Sequence, residues 1–136
     1  MRWLLCSLTG LAAAVLAGAQ FGLLAGSPPV GLGVAAGRLQ PPSTTPNSVS
    51  SQASLYPDHP QRAYASIDPL PLKHADSVAS VRTLADVLRT TPDLMLVEQR
   101  QDYVYAQAQT RWLKFVDDLE FWFNRERGVI ELRSAS

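Results

Sequence analysis

Proline is distributed so unevenly that it divides the chain: ten are present, and every one except Pro92 lies between Ser27 and Pro71. A proline offers no backbone donor and drives the residue before it away from helical angles, so this stretch is expected to run extended. The stretch therefore cannot be mostly regular structure. Within the stretch, Ser43 to Ser54 is rich in Ser and Thr and reads as a solvated linker, while Leu55, Tyr56, Tyr64, Ile67 and Leu70 offer apolar contacts to a neighbouring domain.

The N-terminal flank carries no charge between Arg2 and Arg38, and Trp3 to Ala25 is almost entirely Leu, Ala, Gly and Val with Phe21. Roughly 20 apolar residues in a helix rising about 1.5 Å each cross a hydrocarbon core, so this stretch is long enough to anchor the chain. It also fits a cleaved signal, with Arg2 as the positive end, Trp3 to Leu16 as the apolar core and Ala17-Gly18-Ala19 as the cleavage site. Either reading exports the rest of the chain. Cys6, the only cysteine, has too short an apolar run before it for a lipoprotein cleavage site, and the remaining chain must be stabilised without a disulfide. The expected division is therefore 1–25 signal peptide or transmembrane anchor, 26–72 extended Pro/Ser-rich segment, and 73–136 a small α+β domain. Localisation is expected to be the inner membrane or the periplasm, with the membrane as the first partner.

In the C-terminal flank, Val78, Val81, Leu84, Ala85 and Leu88 recur at helical spacing between Asp76, which can cap the helix, and Thr90-Thr91-Pro92, which ends it. Arg82, Asp86 and Arg89 face away from that stripe. Beyond it the period changes to two. Strands are expected at Leu94 to Gln99, Tyr103 to Thr110, Phe115 to Phe123 and Val129 to Ala135. A turn near Gln101-Asp102 would pair Val97 with Ala106 and Met95 with Ala108. A loop at Arg125 to Gly128 would set Phe123 against Ile130, Phe121 against Leu132 and Glu120 against Arg133. A one-residue slip there would place Glu131 beside Phe121 in the core, so the apolar pattern selects the register. The expected fold is α+β, a four-stranded antiparallel meander with one packed helix.

Twelve basic and twelve acidic residues cancel, leaving no field to attract a nucleic-acid backbone. His59 and His74 have no partner at ligand spacing, so no metal site is expected, and no cofactor motif occurs; Gly31 and Gly33 lie in the proline-rich stretch without the strand and helix of a phosphate loop. No nucleophile elbow is present. The most suggestive polar set is Asp117, Asp118, Glu120 and Arg133, which the plain reading makes a cross-strand ion pair on a solvent-facing surface. The sharper reading brings Asn47, Ser50 and Ser51 onto Asp118, Glu120 and Arg133 as one polar pocket. Tyr103, Tyr105 and Trp112 suggest an aromatic platform, although β-propensity alone accounts for tyrosines in a strand.

Four strings, Gly37-Arg38-Leu39, Thr45-Pro46-Asn47-Ser48-Val49-Ser50-Ser51-Gln52, Phe115-Val116-Asp117-Asp118-Leu119-Glu120-Phe121 and Ile130-Glu131-Leu132-Arg133-Ser134-Ala135-Ser136, resemble the domain-of-unknown-function-1499 family. The resemblance runs from about residue 26 to 136. It implies a domain that lies behind a signal or membrane segment, without an assigned reaction. Many members carry cysteine where Ser48 stands, so a thiol role is excluded here. Members continue past Arg-Ser-Ala-Ser into a further segment and closing helix, so the resemblance also implies a C-terminally truncated chain. Three readings are open: a non-enzymatic envelope module acting on a protein or small-molecule ligand, a hydrolase-like enzyme built on the Ser/Asp/Glu/Arg set, or a nonfunctional fragment.

Overall fold

The period-two alternation from Leu94 onward becomes an antiparallel meander in the computed structural model, which describes residues 29–72 and 76–136. The leader, with its anchor, signal and Cys6 readings, and His74 lie outside the described residues. Among the described residues no helix is long and apolar enough to cross a membrane.

In chain order the elements are β1 (Ser48–Ser50), a 3-10 turn (Ala53–Leu55), α1 (Arg62–Ala65), β2 (Leu70–Pro71), α2 (Ser77–Thr90), β3 (Leu94–Gln99), β4 (Tyr103–Gln109), β5 (Val116–Asn124) and β6 (Val129–Ala135). The sheet order is β1-β6-β5-β4-β3. β1 pairs with Arg133 to Ala135, and β2 with Val129 and Ile130, so the two short strands share the outer edge of β6. This corrects the four-stranded expectation. The meander stands, but the proline- and serine-rich stretch adds a fifth position to the sheet, and Ser43 to Ser54 is not a solvated linker: Ser48, Ser50, Gln52 and Ala53 are all buried.

Helix α2 starts where Asp76 accepts from Val78 N–H at 3.0 Å and stops one residue before Thr91, itself followed by Pro92. Val81, Leu88, Val104, Ala106, Phe123 and Ile130 form the core between helix and sheet, flanked by Leu84, Leu94, Leu96, Leu119 and Phe121. Fully burying aliphatic side chains of this size contributes about 1.5–3 kcal/mol each, which makes this face the main source of cohesion. The pairings Phe123–Ile130, Phe121–Leu132 and Glu120–Arg133 are observed. In the first hairpin the register differs by one: Leu96 pairs with Ala106 and Leu94 with Ala108, and an irregularity between Leu96 and Glu98 absorbs Val97. Leu94 and Leu96 thus face the helix, while Met95 and Val97 are 57% and 49% exposed. Leu94 and Leu96 keep the alternation on the helix side, and the bulge after them resets the facing of Glu98 and Gln99. Phe115, expected in the core, precedes β5 and is 47% exposed.

The second face of the sheet is covered over its centre, around Tyr103, Tyr105 and Trp122. Residues 31 to 41 cross it as a covering segment, with Leu39 buried against Tyr103 and Tyr105 beside Leu32 and Trp122. The segment turns tightly at Ala35 to Arg38, whose backbone N–H and C=O groups bond reciprocally across Ala36 (φ 50) and Gly37 (φ 71). Positive φ at both central residues defines the mirror-image turn that fits a twisted ribbon, and glycine supplies one of them without steric cost.

Candidate functional site

Alternation along β4, β5 and β6 puts Tyr103, Tyr105, Gln107, Asp118, Glu120, Trp122, Glu131 and Arg133 on the face beneath the covering segment. Two of its carboxylates, Glu120 and Glu131, are wholly buried. An unpaired charge in such a place would cost several kcal/mol, so their partners decide whether the fold can hold them.

Glu120 sits centrally. Its Oε1 accepts from the Gly33 N–H at 2.6 Å and the Tyr103 hydroxyl at 2.9 Å, and its Oε2 accepts from Arg133 Nη1 at 3.3 Å. Arg133 also donates through Nε to the Pro41 carbonyl at 3.3 Å. Glu131 forms a second centre: Oε1 accepts from Arg127 Nη1 at 2.6 Å and Asn124 Nδ2 at 3.2 Å, and Oε2 accepts from the Ser51 hydroxyl at 2.6 Å. Asp118 forms a third, with Oδ1 accepting from the Tyr105 hydroxyl at 2.5 Å and Gln107 Nε2 at 3.1 Å. Among the described residues no buried side-chain nitrogen or oxygen lacks a partner.

The phenols respond to this environment. Burial, then the charge of Glu120 and the hydrogen bond to it, hold the Tyr103 hydroxyl far above the usual tyrosine range. Burial first, then the hydrogen bond to Asp118 and its charge, push Tyr105 up to about 12. Both remain protonated donors across physiological pH. Arg100 lies over the Tyr103 ring at 4.6 Å and pairs with Glu98 at 2.6 Å, closing the same face at the β3 side.

The residues singled out from sequence are distributed across these centres. Ser50, Arg133 and Glu120 lie abreast on β1, β6 and β5, and Arg133 meets Glu120. Ser50 Oγ accepts from the Gln52 N–H at 3.1 Å, and Ser51 turns to Glu131 while accepting from Leu132 N–H at 2.9 Å. Among the described residues no hydrogen bond joins the Ser50 or Ser51 hydroxyl to Asp118, Glu120 or Arg133. Asn47 donates to the Ser136 carbonyl at 2.8 Å, and the Ser136 hydroxyl bonds Asp117. The solvent-facing ion pair expected for Glu120 and Arg133 is corrected: Glu120 is buried and the Arg133 side chain is 11% exposed. Tyr103 and Tyr105 lie under the covering segment and Trp112 is 71% exposed, so the three do not form one platform.

Sequence reasoning missed Glu131, Asn124, Arg127 and Gln52. Gln52 Oε1 accepts from the Leu39 N–H at 2.8 Å, and Tyr56 donates to the Leu39 carbonyl at 2.7 Å, clamping the segment at its apolar plug. The signal for Glu131 was available, because it shares the face of Arg133 two residues along the strand.

The string Asn47 to Gln52 is thus a set of fastenings: Asn47 to Ser136, Ser48 to Ser43 N–H at 2.7 Å, Ser50 to Gln52, Ser51 to Glu131 and Gln52 to Leu39. No curated protein and no solved structure matches the chain. Residues 38–136, which hold these fastenings, the helix and the meander, match the family described as Protein of unknown function (DUF1499), and the chain belongs to that family.

Proposed function

We propose that the chain is a non-catalytic binding or accessory module that works outside the cytoplasm, brought there by its N-terminal leader. One observation carries the non-catalytic part: Glu120 and Glu131 are fully buried, and the oxygens of both are engaged by groups of this same chain. Hydroxyls and carboxylates arranged this way hold a segment down. A nucleophile needs an oxygen free to attack, yet the Ser51 oxygen accepts a backbone N–H while its proton goes to Glu131. The export part is supported by the charge-free run from Trp3 to Ala25 behind Arg2, whose positive flank keeps the N-terminus inside.

Fusing alkaline phosphatase after Gln52 tests the location, and an active fusion is the expected result. An inactive fusion at normal expression rejects export, while mass spectrometry of the mature N-terminus distinguishes a retained anchor from a cleaved signal.

A further inference from the structure

Beyond the covering segment, the polar face of the sheet continues to an open end where β3, β4 and β5 begin or finish. Gln109 pairs with Val116 across β4 and β5, and its N–H donates to the Asp93 carbonyl at 2.9 Å, so Asp93, Gln109 and Val116 stand in one row. Adjacent strands lie about 4.8 Å apart, which places the Asp93 and Val116 backbones about 10 Å from each other. A cavity of about 260 Å³ occupies this end, lined by Asp93, Met95, Gln107, Gln109, Lys114 and Val116.

The cavity carries charge at its rim, where Asp93 is exposed and Lys114 half-buried. Asp93 and Lys114 are opposite charges on its lining, and among the described residues neither takes part in an ion pair. Gln107 is oriented from behind, since its Nε2 donates to the Tyr105 hydroxyl at 2.8 Å and to Asp118 at 3.1 Å. Its amide oxygen is therefore a fixed acceptor. Met95, 57% exposed, and Val116 supply an apolar surface between the polar groups. Asp93 (φ 63) and Lys114 (φ 58) both hold left-handed backbone, which for lysine costs about 1–2 kcal/mol and recurs where side chains are held for a ligand.

We propose that this cavity binds a small zwitterion, a free α-amino acid with an apolar side chain. Its carboxylate pairs with the Lys114 ammonium, its ammonium lies between the Asp93 carboxylate and the Gln107 amide oxygen, and its side chain covers Met95 and Val116. The site gives the binding module a ligand class and rests on that reading. At about 260 Å³ the cavity has room for one amino acid.

The test is a calorimetric titration of the full chain with L-leucine, beside N-acetyl-L-leucine and L-leucinamide, which each lack one of the two charges. Saturable L-leucine binding with a Kd of about 1 mM or tighter is expected, and each blocked analogue should bind about tenfold more weakly. Asp93→Asn, which tolerates the left-handed backbone, should weaken L-leucine about tenfold and leave N-acetyl-L-leucine unchanged; Lys114→Gln should do the same for L-leucine and leave L-leucinamide unchanged. Absence of saturable L-leucine binding overturns the site, as does wild-type affinity in Asp93→Asn protein that melts like wild type, even should Lys114→Gln fail to fold. Absent leucine binding rejects this site alone: the non-catalytic reading rests on the buried, engaged Glu120 and Glu131 and falls only if Glu120→Gln leaves stability unchanged, and the export reading falls only if the fusion is inactive.

Discussion

Replacing Glu120 with Gln keeps the side-chain shape and removes the charge under the covering segment. The carboxylate takes three donors, from Gly33, Tyr103 and Arg133. An amide has one oxygen, so if it stays with Gly33 and Tyr103 its NH₂ points at the Arg133 guanidinium. Hydrogen bonds to a charged group contribute about 1.5–3 kcal/mol against about 1 for a neutral one, so two bonds weaken and the third is lost. Arg133 is 11% exposed and regains part of its hydration, which reduces the cost of leaving it unpaired. Together these give a destabilisation of about 3 kcal/mol. In urea, with a slope of about 1.5 kcal/mol per molar, the unfolding midpoint of the full chain should fall by about 2 M. A double-mutant cycle with Arg133→Met should return a coupling above about 1 kcal/mol. A loss below about 0.5 kcal/mol, the value for an exposed pair, refutes the idea that this carboxylate fastens the segment.

Ser51→Ala strips a donor from Glu131 and an acceptor from the Leu132 N–H, so it should cost about 1–3 kcal/mol and, in amide exchange, speed the exchange of Ser48 to Ser50 ahead of β4 and β5; unchanged exchange at β1 would count against it. The raised pKa of Tyr105 means its neutral form is favoured in the folded state, so this stabilisation is complete below its ordinary value of 10 and is lost as pH rises from there through about 12. The loss from this one group is about 2–3 kcal/mol, and Tyr105→Phe should flatten the alkaline limb of a urea-midpoint profile over that window; an unaltered limb would reject the assignment to Tyr105.

Helix α2 and the pairing of β5 with β6 were legible because their information is local. Val81, Ala85 and Leu88 repeat at a helical period, and a slip at Phe121 would have buried a charge beside the aromatic core. The first hairpin was misjudged because alternation cannot reveal a bulge, and the residue it absorbs, Val97, looks like any other strand residue. The polar face was hardest to read. Ser51 and Leu132 are 81 residues apart, and Gly33 and Glu120 are 87 apart, and no periodicity links positions so distant. Proline and serine content said nothing of the sheet this stretch joins, because β1 is only three residues long, nor of the Ala35–Arg38 turn and the short helix α1 within it. The candidate set drew Glu120 and Arg133 from register and passed over Glu131, which the same register had marked only as a residue to keep away from Phe121.

The placement of β6 between β5 and the shared edge of β1 and β2 also makes both short strands depend on it. Each pairing within the meander closes a short loop at small entropic cost, whereas β1 and β2 have no strand to join until Val129–Ala135 is in place beside β5. Until β6 is in place, Glu120 also lacks its Arg133 partner. Anything that delays β6 therefore delays the fastening of both carboxylates with it, since Arg133 holds Glu120 and Glu131 itself lies on β6.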